Sequence, residues 1–159
     1  MARPRVSGFT LIELIVVILL VSIVSVYAAS RYSGRSGFSP FAAQEQVISV
    51  IRQVQVNRMQ SNVVINPLIE ADTNFTLTLE GNCIGSQVAC TQRNTSRSDW
   101  VSMPDITFSS NIGDELNFDL LGNPDGVATP INIQMTSTDG TCVAVQINAV
   151  GYVSPAGSC

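Results

Sequence analysis

The sequence predicts an α+β fold, and three stretches of the chain support this prediction. Residues 9–29 form an apolar run of 21 residues in which Glu13 is the only charged side chain. As a helix, at about 1.5 Å per residue, this run would be roughly 30 Å long, enough to cross a bilayer. Residues 41–62 place apolar side chains at helical spacing. Residues 63–159 alternate apolar and polar side chains between turn residues, which is typical of antiparallel strands.

The charged residues exclude several functions. Twelve acidic and eight basic residues give the 159-residue chain a formal net charge of −4; all eight basic residues are arginine, and there is no histidine. Because Ser–His–Asp, Cys–His and Ser–Lys arrangements need a histidine or lysine base, none can form here. Two carboxylates could still act together, but no pair of acids has a distinctive spacing. We therefore expect no enzymatic activity and no cofactor, and the lack of a basic patch argues against a nucleic acid partner.

A short basic segment precedes the apolar run. Residues 1–8, MARPRVSG, contain Arg3 and Arg5 and no acid. The positive-inside rule keeps these arginines in the cytoplasm and predicts that the rest of the chain lies across the membrane. An ordinary secretory signal is the alternative, because residues 26–28 offer a small-residue cleavage site. The position of Glu13 and the length of the run argue against that alternative.

The start of the apolar run carries a family resemblance. The residues Gly8-Phe9-Thr10-Leu11-Ile12-Glu13, with the basic segment before them, resemble the class III signal of type IV pilins and of type II secretion pseudopilins. The resemblance covers residues 1–29. It implies that residues 1–8 are a leader, that prepilin peptidase cuts between Gly8 and Phe9, and that the new Phe9 amine is methylated. It also implies a bacterial inner-membrane protein, with its C-terminus in the periplasm, that later joins other pilin subunits in an extracellular fibre.

Glu13 is the residue on which the functional interpretation depends. A carboxylate facing lipid is costly, so it implies a function or a partner. After cleavage, the amine of Phe9 and the carboxylate of Glu13 would both lie in a medium of low dielectric constant, where opposite charges attract strongly. Pairing Glu13 of one subunit with Phe9 of a neighbour would relieve both. The alternative is that Glu13 is protonated or reaches the membrane surface.

Residues 30–40 interrupt the helical pattern. They include two glycines, four serines and one proline, and so predict a flexible break. Ser39 and Pro40 have the character of an N-cap and a first helical residue. In residues 41–62 the many β-branched side chains of VISVIRQVQV are also compatible with a strand, so a strand remains an alternative to a helix. The resemblance favours a helix, because pilins continue the membrane helix into an amphipathic half.

A narrower resemblance covers the segments SRYSGRSGF and QEQVISVIRQVQVNRMQ, which are similar to minor pilins of the C type from the mannose-sensitive haemagglutinin (MSHA) pilus. It implies a pilin-like fold, in which a long N-terminal helix with a hydrophobic half and an amphipathic half packs on an antiparallel β-sheet domain. The implied function is that of a minor subunit which is incorporated into, or primes, a fibre used in surface attachment. A type II secretion pseudopilin and a secreted β-domain binding protein remain as alternatives.

Four cysteines lie in the predicted β domain, residues 63–159. An even number behind an export-like segment indicates an oxidising compartment and two disulfides. Zinc is excluded by spacing, since there is no C-x2-C pair and no histidine. Cys83 and Cys90 bracket a short loop, and a hairpin near residues 149–151 would bring Cys142 back toward Cys159. We therefore predict these two pairs, one of three possible connectivities.

Other polar residues are weaker candidates. Asp119, Asn123 and Asp125 could supply oxygen ligands for calcium, although an Asx-Pro turn explains the same residues, and we assign no metal. Trp100, the only tryptophan, could stack on a sugar or a neighbouring subunit, but a lone tryptophan is more often an anchor in a core or at a sheet edge. Arg93 and Arg97 could meet acids of adjoining subunits, against the simpler interpretation of a solvated loop.

Overall fold

The computed structural model describes residues 10–32, 39–61 and 72–159. Contacts divide the chain into two compact units, Met1–Arg35 and Ser36–Cys159. The predicted leader, residues 1–8, and the methylation position, Phe9, lie outside the described residues.

Among the described residues of the first unit, helix α1 runs from Leu11 to Tyr32. Its stretch Leu11–Ala28 is long and apolar enough to cross a membrane. Within α1 the hydroxyls of Ser22 and Ser25 donate to the carbonyl oxygens of Ile18 and Val21, each at 2.7 Å, so these polar groups are satisfied inside the helix.

The predicted break at residues 30–40 overlaps the ends of two helices. Helix α1 continues to Tyr32, because serine, arginine and tyrosine are all compatible with a helix and the first glycine is Gly34. The second helix already begins at Ser39. The rest of the predicted break, residues 33–38, lies outside the described residues.

Helix α2 runs from Ser39 to Gln60 and is the first element of the second unit. Pro40 fits in its first turn, where no intrahelical N–H is needed. Despite its many β-branched residues the segment is a helix, because Val47, Ile51 and Val54 recur at helical spacing and are fully buried. Burial of each such side chain contributes about 1.5–3 kcal/mol, which outweighs a propensity difference of a few tenths.

Within residues 72–159, eight strands form two antiparallel sheets, which confirms the predicted antiparallel β domain. The first sheet has the order β3-β2-β1-β5, and the second has the order β4-β6-β7-β8. The strands of the first sheet are β1 (Leu77–Glu80), β2 (Cys83–Ser86), β3 (Trp100–Ser102) and β5 (Glu115–Leu116), with helix α3 (Gln87–Gln92) between β2 and β3. Those of the second are β4 (Ile106–Ser110), β6 (Ile131–Ser137), β7 (Cys142–Ile147) and β8 (Val153–Ser158).

The chain passes from the first sheet to the second between β3 and β4, returns for β5, and enters the second sheet again at β6. Pro104, which has no N–H for a sheet ladder, lies between β3 and β4, and the Ile106 N–H donates to the Met103 carbonyl at 3.1 Å to close a turn. In the second sheet Thr138, Asp139 and Gly140 form the turn between β6 and β7. Gly140 has a φ of 86°, and its N–H donates to the Ser137 carbonyl at 3.0 Å.

Helix α2 packs against strands of both sheets, namely β2, β3, β6, β7 and β8. It is also tied to the second sheet by side chains, since Gln44 Nε2 donates to the Ala144 carbonyl at 2.8 Å and Arg52 donates to the Val153 carbonyl at 3.0 Å. The core is made of buried aliphatic residues and two phenylalanines: Ala43, Val47, Ile48, Ile51, Val54, Leu77, Leu79, Ile84, Ile106, Phe108, Leu116, Phe118, Ile131, Ile133, Met135, Val143, Val145, Ile147 and Val153. The second unit is thus an α+β domain in which α2 packs against both sheets and contributes to the core.

Candidate assembly site

The first turn of α1 positions Glu13. The Glu13 N–H donates to Thr10 Oγ1 at 3.3 Å, and the Leu14 N–H donates to the Thr10 carbonyl at 3.2 Å. Thr10 is therefore the N-cap and Glu13 the third helical residue, the spacing of a capping box. An acid in this turn also interacts favourably with the helix dipole. The N-cap role of Thr10 was not predicted, although Thr-x-x-Glu before an apolar run is its sequence signal.

The side chain of Glu13 is exposed, and among the described residues its carboxylate makes no hydrogen bond. The large apolar side chains of α1, from Leu11 to Tyr27, are each at least 40% exposed. A helix that is apolar on all sides must find lipid or other helices to cover it. The arrangement is a single carboxylate at the start of an uncovered apolar helix, and a basic group from another molecule could reach it.

The two disulfides are those predicted from the layout of the strands. Cys83 in β2 is joined to Cys90 in α3, with the Cα atoms 5.9 Å apart. Cys142 in β7 is joined to Cys159, with the Cα atoms 5.5 Å apart, and this bond fastens the residue after β8 to the sheet. Neither pair leaves a free thiol.

The calcium candidates are not assembled into a cation site. Asp119 Oδ1 accepts hydrogen bonds from the N–H groups of Leu121 (2.8 Å) and Asn123 (2.9 Å), and Oδ2 accepts one from Asn123 Nδ2 at 2.8 Å. Burial alone would raise the pKa of Asp119, but these hydrogen bonds outweigh it and hold the pKa below its ordinary value. Asp125 is exposed, and only its backbone N–H is engaged, by the Asn117 carbonyl at 2.9 Å. The Asx-turn interpretation explains all of these contacts.

Arg97 is not a solvated loop residue, and that interpretation is wrong. It forms an ion pair with Asp99 at 2.6 Å, and Ser86 Oγ donates to the same carboxylate at 2.6 Å. Burial alone would raise the pKa of Asp99, but the hydrogen bonds from Arg97 and Ser86 outweigh it, so the pKa lies below its ordinary value. The hydrogen bond to Asp99 raises the pKa of Arg97.

Arg93 and Trp100 also have local roles. Arg93 is exposed and closes α3 in a left-handed conformation, with a φ of 50° and its N–H donating to the Ala89 carbonyl at 2.8 Å. The Trp100 indole N–H donates to the Asn94 carbonyl at 3.0 Å, and the side chain is half-buried on the edge strand β3. Trp100 therefore anchors the loop before β3, as a lone tryptophan at a sheet edge usually does.

Comparison with known proteins bears on the N-terminal segment. Residues 3–29 match the prokaryotic N-terminal methylation motif. The match includes the Gly8–Phe9 bond and Glu13, and it supports a protein of the type IV pilin or pseudopilin kind, with α1 as the membrane anchor and prepilin peptidase as the processing enzyme. No curated protein and no solved structure gave a significant match to the chain.

Proposed function

We propose that this chain is a minor subunit of a type IV pilus of the MSHA type, incorporated into or priming an extracellular fibre used in surface attachment. Its role is assembly with other pilin subunits and not catalysis. The observation that carries the proposal is the exposed carboxylate of Glu13, at the start of an uncovered apolar helix and inside the matched methylation motif.

The proposed contact follows from the cost of an isolated charge in lipid. Insertion scales put a charged side chain at the centre of a membrane helix at about 2.5–3.5 kcal/mol, and Glu13, in the first turn of α1, carries a smaller cost of the same kind. Cleavage between Gly8 and Phe9 would create an amine on each subunit, and the amine of one subunit would neutralise Glu13 of its neighbour. Removing the leader also removes Arg3 and Arg5, so six arginines remain against twelve acids.

The charge and cysteine distribution supports the proposed location. Arg3 and Arg5 would remain in the cytoplasm while residues 30–159 enter the periplasm, where the two disulfides can form and persist. Assembly would then carry the domain of α2 and the two sheets out of the cell on the fibre.

Mass spectrometry of the protein purified from the producing cell tests the proposal. We expect a mature chain that begins at Phe9 with one methyl group on its amine. A chain that begins at Ala29 or Ser30 would instead identify a secreted β domain and refute the proposal.

A deletion strain separates the pilus from the pseudopilus, which use the same signal. We expect the deletion to reduce surface fibres and attachment while secreted enzymes still reach the medium. Loss of secreted enzymes with fibres unchanged would assign the chain to a type II secretion system.

A further inference from the structure

Two aspartates of this chain are followed directly by glycine. Asp125-Gly126 lies in the connection between β5 and β6, and Asp139-Gly140 lies in the turn between β6 and β7. Because glycine has no side chain, its backbone nitrogen can approach the carboxyl carbon of the preceding aspartate. A bond between these two atoms closes a five-membered succinimide ring, which can reopen to isoaspartate. In sequence, the two pairs are equal candidates for this rearrangement.

Hydrogen bonds hold Asp139-Gly140 in an unreactive arrangement. Asp139 Oδ1 accepts hydrogen bonds from the Ser137 hydroxyl and from the Thr141 N–H, the latter at 2.9 Å. The Gly140 N–H donates to the Ser137 carbonyl at 3.0 Å. Both reacting groups are therefore engaged, and ring closure would have to break these hydrogen bonds.

The reacting groups of Asp125-Gly126 are not held in this way. Both residues are exposed, and among the described residues neither the Asp125 carboxylate nor the Gly126 N–H makes a hydrogen bond. Only the Asp125 N–H is engaged, by the Asn117 carbonyl at 2.9 Å, and it takes no part in the ring closure. Space does not distinguish the two pairs, because a Cβ atom at either Gly126 or Gly140 would have nothing within 4 Å. The difference between the pairs lies in their hydrogen bonds.

The product is also easier to accommodate at Asp125. Isoaspartate carries the main chain through its side-chain carbon and so lengthens the backbone by one methylene group. Residues 125–130 belong to no helix or strand, so the added length disturbs no sheet ladder. At Asp139 the methylene group would enter the turn that sets the register of β6 and β7, next to the pairing of Thr136 with Cys142. The fold thus permits the rearrangement at the first pair and opposes it at the second.

We propose that Asp125-Gly126 is a modification site at which the folded chain spontaneously forms isoaspartate. The Gly126 nitrogen attacks Cγ of the Asp125 carboxyl group, so that a C–N bond forms and the C–O bond to the hydroxyl group breaks. The hydroxyl group leaves with the proton of the nitrogen as one water molecule.

A second step opens the ring. Water adds to the main-chain carbonyl carbon of Asp125 and breaks its bond to the Gly126 nitrogen, which leaves the chain joined through Cγ and a free α-carboxylate. Addition of water at Cγ instead restores aspartate. One water molecule is released and one is taken up, and no oxidant or reductant is needed.

The product defines the class of reaction that can consume it. The α-carboxylate of isoaspartate can accept a methyl group from S-adenosylmethionine, and loss of methanol from the resulting ester forms the succinimide again. A protein isoaspartyl methyltransferase with labelled S-adenosylmethionine therefore serves as a probe for the site. The proposal does not depend on the proposed function, since it rests only on residues of the second unit.

Incubation of the purified full chain in detergent, at a fixed temperature and neutral pH, tests the proposal. No lysine or arginine follows Arg97, so trypsin leaves both pairs in one fragment, residues 98–159. After reduction, endoproteinase Asp-N cuts this fragment before aspartate but not before isoaspartate. Conversion at Asp125 leaves residues 119–138 uncut, whereas conversion at Asp139 leaves residues 125–159 uncut. Unchanged Trp100 fluorescence and the absence of reactive thiols before reduction show that the chain stays folded.

We expect residues 119–138 to accumulate, carrying the methyl label, at least ten times faster than residues 125–159. In the chain unfolded in urea, both pairs should convert at similar rates, because the hydrogen bonds that protect Asp139 are lost. Asp125→Glu should abolish the methyl label in the folded chain, since a glutamate would have to close a six-membered ring. The matched variant Asp139→Glu should leave the label unchanged.

Two results overturn the proposal. One is a ratio of rates below tenfold between Asp125 and Asp139 in the folded chain. The other is the absence of conversion at Asp125 in the folded chain over a period in which the unfolded chain converts.

Discussion

Replacement of Gln55 by leucine tests whether one side chain holds two loops on α2, namely residues 119–122 and residues 148–152 between β7 and β8. The change preserves most of the side-chain volume and the helix propensity, but it removes both donors to the carbonyls of Gly122 and Gly151. A hydrogen bond contributes about 0.5–1.5 kcal/mol, and a buried acceptor left without a donor costs about 1–3 kcal/mol. Gly122 is buried, whereas Gly151 is half-buried and can recruit water. We therefore expect a loss of about 2–3 kcal/mol, which corresponds to a Tm decrease of roughly 10 °C for a domain of this size.

The measurement is urea unfolding of the full chain in detergent, followed by the fluorescence of the single tryptophan, Trp100. Gln53→Leu is the matched control, because Gln53 is exposed on the same helix and its side chain donates only to that of Asn57, which is half-buried. We expect the control to change the free energy of unfolding by less than about 0.5 kcal/mol. Equal losses in the two variants would refute the bridging role of Gln55.

The other predictions concern assembly, pH and backbone packing. Glu13→Ala should leave cleavage after Gly8 intact but reduce incorporation into fibres at least tenfold. Glu45→Ala, which removes an exposed acid of α2, is the control. Normal incorporation of the Glu13→Ala variant would contradict the pairing of Glu13 with a neighbouring Phe9 amine. The pKa of Asp99 lies below its ordinary 3.8, so the stability it contributes is complete above about pH 4 and is lost as the pH falls through the lower value of the folded state. When the urea midpoint is measured as a function of pH, Asp99→Asn should therefore reduce its fall below about pH 4. An unchanged pH profile would show that other groups cause this loss of stability. Gly151→Ala and Gly140→Ala both place alanine at a positive φ, 75° and 86°, but only at Gly151 does a Cβ meet another backbone. Gly151→Ala should cost about 1–3 kcal/mol more than Gly140→Ala in the same unfolding assay, and equal costs would contradict the close contact of the loops.

Local patterns in the sequence were sufficient for the elements that carry strong periodicity. The apolar run gave α1, the buried spacing of Val47, Ile51 and Val54 gave α2, and the alternation in β6 and β7 matches their burial. The layout of turns around the cysteines was enough to predict both disulfides. These features depend on residues that are close in the chain.

Features that depend on distant residues were not predictable in this way. The pairing of β4 with β6, which separates the two sheets, is set by contacts across more than twenty residues. Thr78 alternates with apolar neighbours and should face solvent, yet it is buried and its hydroxyl donates to the Asp114 carbonyl at 3.2 Å. The attachment of residues 119–122 and 148–152 to α2 depends on Gln55, whose hydrogen-bond partners lie 67 and 96 residues away. No local pattern marks a glutamine for such a role.

The back-bonded serines of α1 have a consequence for movement. Because the hydroxyls of Ser22 and Ser25 already donate to the carbonyls of Ile18 and Val21, the side chains between Leu14 and Val26 offer no free hydrogen-bond donor to a neighbour. Translation along an adjacent helix or through lipid then breaks no hydrogen bond, and each 1.5 Å step exchanges one aliphatic contact for a similar one. The energy barrier to axial sliding is therefore low, which allows a subunit to be drawn out of a bilayer by a modest force.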